Sequence, residues 1–149
     1  MVQLKRTTST DNDFKALVFL LDKDLAQRDG EDNAFYSQFN GIVQLKHCVV
    51  QYLDDTPIAC GAFKPFNETT IEVKRMFVQP GHRGKSIASK VLNELEVWAK
   101  ELNYSYSVLE TGLRQPEAIA LYKKNEYIII PNYPPYEGIL NSVCFKKEL

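Results

Sequence analysis

Met76-Phe77-Val78-Gln79-Pro80-Gly81-His82-Arg83-Gly84-Lys85-Ser86-Ile87-Ala88 is the stretch on which the reading of this chain turns. An apolar, strand-like run ends at Val78, and Pro80-Gly81 stops it. A basic loop with glycine follows, and small residues open the next helix. The N–H groups of a first helical turn lack intrahelical acceptors, and the helix dipole adds roughly half a positive charge there. Gly84 lets an anion approach the backbone, while Arg83 and Lys85 bring charge. The pattern predicts phosphate or pyrophosphate binding; the alternative is a helix start whose Arg and Lys are merely solvated. Gly84-Lys85-Ser86 matches the tail of a Walker A loop, which would bind ATP with Mg²⁺. That motif needs a glycine at position 79, which is Gln, and Gly-x-Gly-x-x-Gly is absent.

Working outward, Ile87, Val91, Leu92, Leu95, Trp98, Ala99 and Leu102 recur on one face and predict a helix from Lys85 to Leu102 packed against a sheet. Thr69 to Val78 is a β-branched and aromatic strand. Leu45 to Leu53 and Pro57 to Phe63 read as a hairpin around Asp54-Asp55. Near the start, Asp11-Asn12-Asp13 can cap a helix carrying Phe14, Leu17, Val18, Leu21 and Leu25 and ending near Gly30. Asp29 to Asn40 reads as a loop or short helix. Tyr104 to Leu109 is a strand, Pro116 opens a helix to about Asn125, and Tyr127 to Ile130 and Val143 to Lys147 are closing strands. The order is β-α-β-β-β-α-β-α-β-β, a mixed α/β sheet over residues 1–149 in a single domain.

At 149 residues, 44% hydrophobic and 25% charged, the chain has the composition of one globular domain, not of a disordered or fibrous protein. A net charge of −1 argues against nucleic acid and anionic membrane as partners. The charge is unevenly spread: residues 1–73 hold 7 basic and 11 acidic side chains, residues 74–100 hold 6 and 2, and residues 101–149 hold 5 and 6. A small anion therefore meets the chain in its basic middle. No apolar run approaches the roughly 20 residues of a membrane span, and the first residues lack the apolar stretch of a signal peptide. Cys48, Cys60 and Cys144 sit in apolar, strand-like contexts. They read as buried free thiols of a cytoplasmic protein, a disulfide or metal site being the alternative. With only His47 and His82 besides, no metal is expected.

The chain resembles the GCN5-related N-acetyltransferase (GNAT) family. Arg83-Gly84-Lys85-Ser86-Ile87-Ala88 is similar to that family's pyrophosphate signature, with Ser86 where glycine is preferred. Lys74-Arg75-Met76-Phe77-Val78 looks like its central strand. Ala118-Ile119-Ala120-Leu121-Tyr122 followed by Tyr127 looks like its second motif, with Glu126 in place of the usual glycine and Gln115 where many members have Asn. With Glu126 there, Asn125 is expected to take the left-handed turn.

The resemblance implies a mainly antiparallel mixed sheet, splayed at the cofactor site, with helices on both faces. It implies acetyl transfer from acetyl-CoA to a primary amine of a small molecule or protein, by direct attack through a tetrahedral intermediate. Phe77 and Val78 would pair with the pantetheine arm, where a backbone N–H can stabilise an oxyanion. Arg83, Gly84, Lys85, Ser86, Ile87 and Ala88 would hold the pyrophosphate, and Gln115 would donate to the cofactor. Tyr122 would protonate the departing thiolate; the plainer reading is an aromatic on a buried helix face. Glu72 is the expected base, with Glu110 second and His82 third, since a mid-strand carboxylate is costly unless used or paired. A salt bridge from Glu72 to Lys74 or Arg114 is its plainer reading.

Tyr133 and Tyr136, before the last strand, would line the acceptor pocket. The first helix and the loop around Arg28 to Phe39 would form the other wall. Asp24, Asp29, Glu31 and Asp32 there would attract a cationic amine or simply form a solvated face. The same motifs also fit a non-catalytic acyl-CoA sensor, and the sequence leaves open both the acceptor and whether the chain forms a homodimer.

Overall fold

The computed structural model describes residues 1–30 and 44–149. Among these, strands β1 (Val2–Thr7), β2 (His47–Leu53), β3 (Thr56–Pro65), β4 (Thr70–Val78), β5 (Tyr106–Gly112), β6 (Ile128–Ile130) and β7 (Ser142–Glu148) form one sheet. Their order is β1-β2-β3-β4-β5-β7-β6, and every pairing is antiparallel except β4 with β5. Asp54 and Asp55 join β2 to β3 with φ of 48° and 69°, the two positive values that a two-residue type I′ turn requires.

Helix α1 (Asn12–Asp29) covers one face of the sheet. Asp11 caps it by accepting the Phe14 N–H at 2.9 Å. Phe14, Leu17 and Leu21 then bury against Cys48, Val50, Cys60, Ala62 and Phe77. Helices α2 (Ile87–Glu101) and α3 (Pro116–Lys124) lie on the other face. There Val91, Leu92, Leu95 and Ala99 meet Val49, Phe63, Ile71 and Val73, and Tyr122 joins the same cluster. Leu92 and Leu95 are fully buried, and each such side chain gains roughly 1.5–3 kcal/mol from leaving water.

Several boundaries differ from expectation by a few residues, and at three places the local reason is clear. Ser86 stands at φ 62°, ψ 18°, so α2 begins at Ile87 and not at Lys85. At the other end of α2, Tyr104 N–H bonds the Ala99 carbonyl at 3.0 Å and Asn103 N–H the Lys100 carbonyl at 2.9 Å, with Asn103 at φ 71°. This Schellman closure consumes Tyr104, and β5 starts at Tyr106; pairing with β7 then carries it on to Gly112 opposite Ser142. The left-handed residue after α3 is Glu126 at φ 72°, not Asn125, which stays at φ −94°. Asn125 is held there because its Nδ2 donates to the Leu121 carbonyl and to Ser89 Oγ, at 2.9 and 3.1 Å.

The feature that shapes the site is a bulge in β4. Ala62 faces Lys74 and Cys60 faces Phe77, so Arg75 and Met76 together oppose Gly61, with Arg75 at φ 61°. Gly61 leaves little room for a side chain: a Cβ there would stand 2.5 Å from Met76 Sδ and 3.0 Å from Leu95 and Val91 side-chain carbons, so these neighbours would have to shift. Just before the bulge β4 leaves β5, to which it pairs only from Thr70–Tyr106 to Glu72–Val108. The sheet is splayed from there on. The three cysteines are free and buried. No helix among the described residues is long and apolar enough to cross a membrane. From residue 31 onward, the expected loop or short helix and its Phe35, Tyr36, Phe39, Glu31 and Asp32 lie outside the described residues.

Candidate active site

A cleft of about 520 Å³ opens where β4 and β5 part. Its walls are β4 from Val73 to Val78, the loop and first turn of α2, the end of β5, α3, and Leu21, Asp24 and Leu25 of α1.

One end of the cleft carries the glycine-bearing basic loop and the first turn of α2. Gly84 has φ 79°, and a Cβ added to it would meet nothing within 4 Å; Ser86 also has positive φ. Alternating left-handed residues are the kind of backbone that can form an anion-binding concavity. The amides of Ile87, Ala88 and Ser89 precede the closing bond of the helix from Lys90 N–H to the Ser86 carbonyl at 3.2 Å. Arg83 is tethered beside them: Nε donates to the Val78 carbonyl at 2.9 Å, and the guanidinium lies over the Phe77 ring at 5.7 Å. Its Nη2 is 3.9 Å from Asp24 Oδ2. The open cradle and the donors around it fit a pyrophosphate. Gln115 stands at the start of α3 and also lines the cleft.

The other end carries titratable groups. Tyr122 is 6% exposed and packs edge-on to Tyr127 and tilted on Phe145, at 5.8 Å each. Burial, and secondly the charge of Glu110, hold its phenol well above the usual tyrosine range, so it keeps its proton. Glu110 and Tyr136 line the same cleft. Glu72 does not. Its carboxylate accepts the Tyr133 hydroxyl at 2.8 Å and lies 3.7 Å from both Lys74 Nζ and Lys64 Nζ. Lys74 Nζ in turn donates to the Tyr136 hydroxyl at 3.3 Å. Burial pushes the Lys74 ammonium down, against the opposing pull of Glu72. Burial also pushes the Cys48 thiol up to about 12 and Cys144 to about 11, and Cys60 higher still, so none is a thiolate nucleophile near neutral pH.

Of the residues expected from sequence, the fold gathers Phe77, Val78, Arg83, Gly84, Ser86, Ile87, Ala88, Gln115, Tyr122 and Tyr136 around this one cleft. Lys85 is exposed and stands outside the lining; Glu72 and Tyr133 are engaged with one another beside it. Lys74 and Arg75 also line the cleft, a placement not expected from the sequence. Lys74 was findable, since it lies on the same strand face as Glu72. Arg75 was not, because its direction depends on the bulge.

The family model for acetyltransferases of the GNAT family matches residues 15–127. An IAA acetyltransferase of Azospirillum brasilense is 40% identical over 95 residues, 63% of this chain; the aligned stretch spans 62% of that relative's length. Among solved structures, a protein from Klebsiella pneumoniae assigned as an acyl-CoA N-acyltransferase superposes with a TM-score of 0.82 at 29% identity. The match covers 100% of this chain and 98% of that one. A GNAT family acetyltransferase from Elizabethkingia anophelis with acetyl-CoA bound shares the fold, with a TM-score of 0.71 at 19% identity over 99% of this chain and 98% of the other.

Proposed function

The chain belongs to the GNAT family of acetyltransferases, and on that premise we propose that it transfers the acetyl group of acetyl-CoA to a primary amine of a small molecule or protein by direct attack. One observation carries the reading: the anion cradle at Gly84–Ala88, the parted edge of β4 and the Tyr122 side chain all face a single cleft. Bound there, acetyl-CoA would supply the activated acyl group as a thioester. The α2 amides and Arg83 would hold its pyrophosphate, and the edge of β4 at Phe77 and Val78, which has no strand beside it after Glu72, would pair with the pantetheine arm.

Tyr122 enters as the proton donor to the leaving sulfur, a role suited to a phenol held protonated by burial. The proton of the incoming ammonium goes to Glu110, directly or through water, because Glu110 lines the cleft whereas Glu72 is bonded to Tyr133. Backbone N–H groups of β4 at the parted edge are the donors for a developing oxyanion. The test is thiol release from acetyl-CoA across a broad amine panel, with CoA binding followed by calorimetry. Absence of release across the panel, together with absence of CoA binding, would end the reading.

The second reading, a non-catalytic acyl-CoA sensor, drew on Ser86 and Glu126 standing where the family has glycine. Both residues adopt positive φ, so the backbone conformation that glycine would supply is kept despite the substitutions. Turnover abolished in Tyr122→Phe with CoA affinity retained supports the enzyme; CoA binding without turnover in the parent protein supports the sensor.

A further inference from the structure

We propose that the cleft wall at the β4 bulge is an oxyanion subsite, so that the acceptor is an amine that also carries a carboxylate or another small oxyanion; this rests on the acetyl-transfer reading above. Arg75 carries the inference. The bulge places it at φ 61°, and its side chain is only 9% exposed. Nη2 is engaged by the Asp22 carboxylate of α1, at 2.9 and 3.1 Å. Nη1 is buried and has no hydrogen-bond partner among the described residues, while Arg75 lines the cleft. A buried guanidinium nitrogen left without an acceptor is costly, and a small turn of the Arg75 side chain toward the cleft would let a ligand oxyanion supply the acceptor that Nη1 lacks. The planar fork of Arg is anchored at one nitrogen by Asp22, which limits how far the other can move and favours specificity.

The neighbouring residue adds a second cation. Lys74 lines the same cleft, with its ammonium against the Tyr136 hydroxyl at 3.3 Å and shared with Glu72 at 3.7 Å. That ion pair is long, and burial works against the ammonium, so an arriving oxyanion improves its surroundings. On the facing strand, Glu110 supplies the opposite charge to the cleft. A zwitterion thus lies across the gap, its amine toward Glu110 and Tyr122 and its oxyanion toward Arg75 and Lys74. A purely cationic diamine would set one positive end against these two cations. With strands advancing about 3.3 Å per residue, Arg75 lies roughly 7 Å along β4 from Phe77, a span suited to a short spacer between amine and oxyanion.

Initial rates of thiol release with acetyl-CoA test this on matched amines: 4-aminobutyrate against butylamine, phosphoethanolamine against ethanolamine, and 1,4-diaminobutane as the cationic arm. The expected result is at least a tenfold higher kcat/KM for the anionic member of one pair, the pair itself telling carboxylate from phosphate. Arg75→Gln should raise KM for that amine at least tenfold with CoA affinity retained, and Arg75→Lys should restore part of the loss. Lys74→Gln reads the same subsite without altering the bulge. Equal rates within both pairs, preference for the diamine, or a preference that survives Arg75→Gln overturns the proposal. If no amine releases thiol although CoA binds, the transfer reading fails by itself. Calorimetric binding of the anionic amine to the CoA-loaded protein, lost in Arg75→Gln, then supports the subsite, and its absence in the parent overturns it.

Discussion

Ser86 and Glu126 hold left-handed backbone at φ 62° and 72°, a conformation that costs a residue with Cβ about 1–2 kcal/mol. Glycine removes that strain but adds unfolded-state freedom of about 0.4–1 kcal/mol. Ser86→Gly and Glu126→Gly should therefore each stabilise the protein, by about 0.5 kcal/mol, read as a small rise in Tm; a fall in both would contradict the backbone assignment. Tyr122→Phe keeps the ring that packs on Tyr127 and Phe145 and removes only the hydroxyl. Its kcat should drop by about a hundredfold with CoA affinity retained, the lower end for a lost general acid. Because burial raises the phenol, the acid form persists beyond the usual tyrosine value of about 10. In the parent, kcat should accordingly show no descending limb attributable to Tyr122 up to pH 10.

At the scale of the element, α1 depends on its cap. Asp11 accepts both the Phe14 amide and the Lys5 ammonium, at 2.9 and 2.7 Å. Burial pushes the carboxyl up, but these two donors outweigh it and hold the group below its ordinary value. Asp11→Ala should cost about 1 kcal/mol at pH 7, the usual worth of such a cap, measured by urea unfolding. A depressed folded value means the contribution is whole above the unfolded value of about 3.9 and is lost as pH falls through the folded one. The gap between parent and variant should therefore narrow below pH 4, and a gap that widens in acid would refute the assignment. Periodicity revealed α1 and α2 because each buries an apolar stripe. Helix α3, with only Tyr122 buried, was legible from Pro116 at its start and the apolar side chains beside Tyr122. The ends of α2 and β5 were less legible, since the Asn103 closure and the partner β7 set them, and neither is a property of the segment's own pattern.

Across the whole molecule, the cleft joins parts that are far apart in sequence: β4, the start of α2, the end of β5 and α3. A ligand touching all of them binds the folded chain alone. CoA at a hundredfold over its Kd should thus add about 2.7 kcal/mol of stability. In a thermal melt that amounts to roughly 5–10 °C, and no shift would argue against the cofactor site. The Glu117 carboxylate of α3 pairs with Arg28 of α1, which also meets Asp24 at 3.2 Å, so the two helices are tied beside the cleft.

The sequence by itself determined the element order, the apolar stripes and the basic, glycine-bearing Arg83–Ala88 loop, because each is written in local spacing or in a run of adjacent residues. It located the basic middle of the chain but left Lys74 and Arg75 without a purpose. Tertiary structure alone decided which carboxylate faces the cleft. Tyr133 reaches Glu72 from 61 residues away, and the pairing of β5 with β7 sets Glu110 opposite Cys144 beside the cleft. It alone decided the place of Arg75 too. A bulge arises from the register between two strands, two residues of one against Gly61 of the other, and register belongs to the pair and not to either segment.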